Sequence, residues 1–241
     1  ALMIELTREQ ERRIETAKEK HLATAEELNP NMRFVNNRLI EKLIDCETLT
    51  KFCDDHKVNW EGDIALVNSL LEAITGSELY REYMEAEHND FAADCDFWRN
   101  ALRTIVFTND EFAESLENKS VFWNDDLQIM GTFVLKTIKQ AALHPDEPIE
   151  MLPQYKDEED AHFGDELFRD TVEHHEEYRA YIDRFINTGS WDPERMAFMD
   201  IIVMLTAISE LINYPKIPLA VTMNEYIEIA NDYSTGKSGQ F

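Results

Sequence analysis

Apolar positions in this chain recur at threes and fours from end to end, with no run of strict alternation, so the pattern predicts helices throughout and no sheet. The signal is clearest near the carboxy terminus. Met196, Met199, Ile202, Val203, Ile208, Leu211 and Ile212 form one stripe, and Phe198, Ile201, Met204 and Leu205 widen it almost to a full circle. A helix this apolar is expected inside a bundle. Its predicted start lies just before: Asp192 can accept free N–H groups, Pro193 occupies the first helical position, and Glu194 favours the positive end of the dipole. Pro215 and Pro218 stop it. Thr222-x-x-Glu225 then reads as a capping box, with Val221 and Tyr226 at staple positions, opening a helix that carries Tyr226, Ile229, Ala230 and Tyr233 on one side.

Earlier segments repeat the pattern at shorter range. Leu2 to Leu28 reads as one long, partly solvated helix ended by Pro30; its Arg8, Arg12, Arg13, Lys18 and Lys20 are interleaved with glutamates, which predicts a salt-bridged surface rather than an RNA face. Phe34, Leu39, Ile40, Leu43 and Ile44 mark the next helix, and Leu49, Phe52 and Cys53 a short continuation. Ile64 to Ile74 gives another, stopped by Gly76. Ser77 and Asn109-Asp110 are predicted caps, and Phe91 to Val106 lies between them. A helix from about Asn124 to Ala142 is expected to bury Ile129, Phe133, Val134 and Ile138. Pro145, Pro148 and Pro153 make residues 144–156 the predicted linker between a helical region at 1–143 and a bundle of about four helices at 157–241.

Composition narrows the function. With 49 acidic against 23 basic residues the formal charge is −26, which opposes unaided binding to nucleic acid and suits a basic protein partner. Only seven glycines and seven prolines favour long helices joined briefly. No stretch approaches the roughly 20 apolar residues of a membrane span. The amino terminus turns acidic at once, unlike a signal peptide, and its lack of an initiator Met suggests an internal fragment. Three cysteines, Cys46, Cys53 and Cys95, have no metal-type spacing and suggest packed thiols in a reducing cytoplasm.

No constellation for catalysis stands out. Gly236-Lys237-Ser238 lacks the glycine a phosphate loop needs five residues earlier, where Asn231 stands. Two Glu-x-x-His units, Glu85 to His88 and Glu159 to His162, have the spacing of a four-helix di-iron site but lie in polar stretches rather than the apolar surroundings such a site requires. His174 and His175 face no second histidine at metalloprotease spacing.

Several motifs together carry a resemblance. They are the run from Arg195 to Glu210, Pro215-x-x-Pro218, Val221-x-x-Asn224-Glu225-x-x-Glu228-x-Ala230 and Lys237-Ser238-Gly239-x-Phe241. This pattern resembles the carboxy-terminal helical domain of the NusB antitermination factor family, in particular its long forms from the Bacteroides group. In those forms it extends back through Phe122 to Asp126, Thr132 to Lys139 and Phe34-Val35-Asn36-Asn37-Arg38.

The resemblance implies an all-α, multi-helix, non-enzymatic cytoplasmic protein without cofactor or metal. It implies pairing with the basic ribosomal protein NusE, binding of boxA RNA by the pair, and read-through by the RNA polymerase elongation complex in rRNA operons. Carried onto this sequence, the NusE surface falls on Glu194, Arg195 and Asp200 with Lys237 nearby, and RNA contact on Ser238, Gln240 and Phe241. The family's basic amino-terminal segment is not present, and the chain stops at Phe241 where relatives continue into a last helix, so weak RNA binding by the polypeptide alone is expected. Two other readings compete: the RNA-binding domain of an rRNA methyltransferase, for which no methyl-donor site is present, and the helical di-iron protein.

Overall fold

The computed structural model describes residues 1–120, 123–153, 155–185 and 196–234, which form thirteen α-helices and no strand. The chain divides into two compact units, Ala1–Leu152 and Pro153–Phe241. No helix among the described residues is long and apolar enough to cross a membrane.

The first unit runs α1 (Leu2–Lys18), α2 (Ala25–Leu28), α3 (Arg38–Ile44), α4 (Glu47–His56), α5 (Ile64–Thr75), α6 (Glu78–Glu85), α7 (Phe91–Ala101), α8 (Asp110–Lys119) and α9 (Trp123–Leu143). The predicted single helix from Leu2 to Leu28 is therefore two. Its break has a local cause: Thr24 and Glu27 form a reciprocal capping box that starts α2 afresh, and Lys20 is fixed on Glu27 at 2.7 Å. The basic residues of α1 are paired as expected, Arg12 with Glu5 and Glu9, Arg13 with Glu9 and Asn68. Ser77 caps α6 through the Tyr80 N–H, and Asn109 caps α8 through that of Phe112.

Burial in this unit centres on α5, whose Val67, Leu70, Leu71 and Ile74 are fully covered at the spacing of one helical face. Leu6 of α1 and Trp98 and Ala101 of α7 complete the core. Phe34 lies 5.4 Å from Trp98 and 5.8 Å from Phe97, and Phe97 stacks on Tyr83 at 4.2 Å. After α7 the backbone widens to a π-turn over Leu102–Val106, closed by the Phe107 N–H on the Leu102 carbonyl. The Phe107 ring then rests against Gly131 of α9, so close that a Cβ there would stand 3.2 Å from it. A glycine lets the two elements approach.

The α9 prediction needs correction. Ile138 is buried, but Ile129, Phe133 and Val134 are exposed, Ile129 by 55%. The inward face is shifted by a fraction of a turn: Leu127, Gly131, Leu135, Ile138 and Ala142 point to the core, because the contact with Phe107 sets the rotation of the helix. The proline-containing stretch after α9 also belongs to this unit as far as Leu152. Lys42 donates to the carbonyls of Pro145 and Glu147, and Ile149 is buried, with its carbonyl accepting from the Cys46 thiol. Cys95 is buried too, which pushes its thiol up to about 12, while Cys53 is partly exposed.

A buried polar network fixes how α3, α6 and α7 meet. Asp94 of α7 is completely covered; Tyr83 Oη donates to it at 2.7 Å and the Arg38 N–H at 3.1 Å. Asn37 caps α3 with its side-chain oxygen and donates its amide to Tyr83 Oη at 3.0 Å. Arg33 donates to the carbonyls of Ala86 and His88, and Arg38 to that of Asn89. The run Phe34 to Arg38 thus clamps the turn between α6 and α7. Burial, and next the Asp94 carboxylate, raise the Tyr83 phenol above its ordinary range. Replacing Asp94 by alanine strips the acceptor from Tyr83 and Arg38 and is expected to cost this unit about 2–3 kcal/mol. Denaturant unfolding followed by the fluorescence of buried Trp98 checks this; a loss under half a kcal/mol would show the network to be incidental.

Candidate functional site

The second unit holds α10 (Glu158–Glu173), α11 (His175–Phe185), α12 (Phe198–Asn213) and α13 (Leu219–Tyr233). Asp157 caps α10 by accepting the Asp160 N–H at 2.9 Å. Ala197 is extended and α12 begins at Phe198, while Asp192, Pro193 and Glu194 lie outside the described residues.

Adjacent side chains on α12 carry two polar clamps on different faces. Ser209 is fully buried and donates to Asp170 of α10 at 2.5 Å. The same Asp170 oxygen accepts from Tyr178 of α11 at 2.6 Å and Asn213 of α12 at 2.7 Å, and the other oxygen faces His174 Nδ1 at 2.9 Å. One carboxylate therefore ties α10, α11 and α12. Partial burial pushes that carboxyl up, but the bonds from Ser209 and Tyr178, the His174 charge and the Asn213 bond outweigh it and hold it below its ordinary value of 3.8. Tyr178 is raised by burial and by its bond to Asp170.

Glu210 points the other way, to α13. It is buried and accepts the Thr222 hydroxyl at 2.7 Å and the Tyr226 phenol at 2.9 Å. Thr222 is thus not the cap predicted from the Thr-x-x-Glu spacing. It lies within α13, which starts behind Pro218 with no side-chain cap, and its hydroxyl serves the neighbouring helix. Burial and the Glu210 carboxylate raise the Tyr226 phenol. Of the expected apolar side of α13, Ala230 is buried, whereas Ile229 and Tyr233 are exposed.

Asp200 lies in the first turn of α12, two to three turns before these clamps, where the helix dipole favours a carboxylate. Asp200 is 8% exposed, and its Oδ1 has no hydrogen-bond partner among the described residues. The surroundings of α12 are less closed than its sequence predicts. Val203 is its one buried apolar residue among those described, Phe198 is 75% exposed, and Met199, Ile202, Leu211 and Ile212 also reach solvent.

The other predicted partner and RNA residues, Glu194, Arg195, Lys237, Ser238, Gln240 and Phe241, lie outside the described residues, so Asp200 is the one the structure describes. Sequence reading missed Asp170 and Glu210. Glu210 had a usable signal, since it is the one ionisable residue between Ile201 and Ile212 and must find partners if that helix is packed. For Asp170 the signal is weak, because two of its three hydrogen-bond donors, Ser209 and Asn213, lie some forty residues away on α12. The residues spaced for a di-iron site are otherwise engaged or solvated: Glu159 pairs with Lys216 at 3.1 Å, and Glu85, His88 and His162 are not buried. Among the described residues no group of three or more His, Cys, Asp or Glu is arranged to hold a metal ion.

Comparison with known proteins agrees with this architecture. The model of the NusB family matches residues 126–241. A protein of Salinibacter ruber named transcription antitermination protein NusB is 33% identical over 90 residues, 37% of this chain and 55% of that protein. Proteins of the same name from Symbiobacterium thermophilum and Koribacter versatilis are each 30% identical, over 48% of this chain and 73% and 78% of their own lengths. The chain thus spans between about half and four-fifths of these relatives. No solved structure matches.

The clamps make two measurable demands. The depressed folded-state value of Asp170 means that its contribution to stability is present above the unfolded value of 3.8 and lost as pH falls through the folded one. An acid titration followed by circular dichroism is expected to show a shallower loss for Asp170→Asn than for the parent chain; identical acid limbs would exclude the linkage. Thr222→Val keeps shape and removes the hydroxyl, and is expected to cost about 1–2 kcal/mol by leaving a Glu210 oxygen short of a donor. Thermal and denaturant unfolding of the variant measure it, and an unchanged midpoint would contradict the clamp.

Proposed function

The chain belongs to the NusB family, and from that premise we propose that it is a non-enzymatic transcription antitermination factor that docks the basic ribosomal protein NusE through the start of α12. The single observation that carries the reading is the formal charge of −26, with Asp200 in the first turn of α12 a carboxylate whose Oδ1 is paired by no described residue. The opposite fields of this acidic chain and a basic partner speed their encounter. Glu194, Arg195 and Lys237 extend the same docking surface, and residues 157–241 form the domain that bears it, with the helical region before them as an accessory.

The partner, rather than this acidic polypeptide, supplies most of the cationic surface for the phosphates of boxA RNA. In the complex, Ser238 and Gln240 offer hydrogen bonds and Phe241 a stacking face for an unpaired base. The assembled pair then acts on the RNA polymerase elongation complex in rRNA operons, in the cytoplasm and without cofactor.

Titration calorimetry of the purified chain against NusE tests this directly. Binding is expected to weaken steadily as salt rises, since screening removes the long-range attraction. Asp200→Lys places like charge against the partner and is expected to weaken binding by at least about thirtyfold, roughly 2 kcal/mol. Salt-independent affinity, or full affinity of the variant with its helicity intact, would overturn the assignment. In electrophoretic shift assays the chain by itself is expected to leave boxA RNA unshifted until NusE is added; submicromolar binding without NusE would contradict the division of labour.

A further inference from the structure

No further inference is drawn: the strongest candidate, the exposed apolar stripe of Ile129, Met130, Phe133 and Val134 along α9, is an unpartnered helix face, and nothing in the structure shows what covers it.

Discussion

The carboxylate of Asp170 holds the second unit together. Three hydrogen bonds, from α11 and α12, converge on one of its oxygens, and the imidazole of His174, at the joint between α10 and α11, faces the other. Ordinary helix bundles of this size rely on interlocked apolar side chains. Here α12 buries Asp200, Ser209 and Glu210 and, of its many apolar residues, Val203. Polar bonds are directional in a way that apolar contact is not, so Ser209 and Glu210 fix both the rotation of α12 and the positions of its neighbours. The position of Asp200, two to three turns back along the same helix, follows from that rotation.

The first unit solves the same problem in the opposite proportion. Its core is apolar and aromatic, built on α5 and Trp98, and one buried acid, Asp94, is added to lock the turn between α6 and α7. Asn37 works twice, as cap and as amide donor, and Arg33 and Arg38 satisfy carbonyls that the turn would otherwise leave open. In the run Phe34 to Arg38, which resembles long NusB sequences, Phe34, Asn37 and Arg38 all serve this packing.

Much of this was legible in the sequence, and the boundary of legibility has a physical basis. Local rules succeeded where the interaction is local: the caps at Ser77 and Asn109, the stripe of α5 and the ion pairs of α1 all link residues a few positions apart. They failed where a distant group competes for the same atoms. Thr222 and Glu225 have the spacing of a capping box, but Glu210 on another helix takes the Thr222 hydroxyl. Periodicity located α9, while the contact between Phe107 and Gly131 decided which face turned inward. At the site, the resemblance singled out Asp200, but that its carboxylate would be covered depends on tertiary rotation, which spacing does not encode.

The treatment of the three cysteines has a chemical consequence. Cys95 is covered and burial raises its thiol, which makes it a poor target for alkylation and for peroxide. Cys46 is covered and engaged with the Ile149 carbonyl. Cys53 is thus left as the natural attachment point for a single spectroscopic label, on a helix remote in sequence from Asp200, without engineering a cysteine-free background.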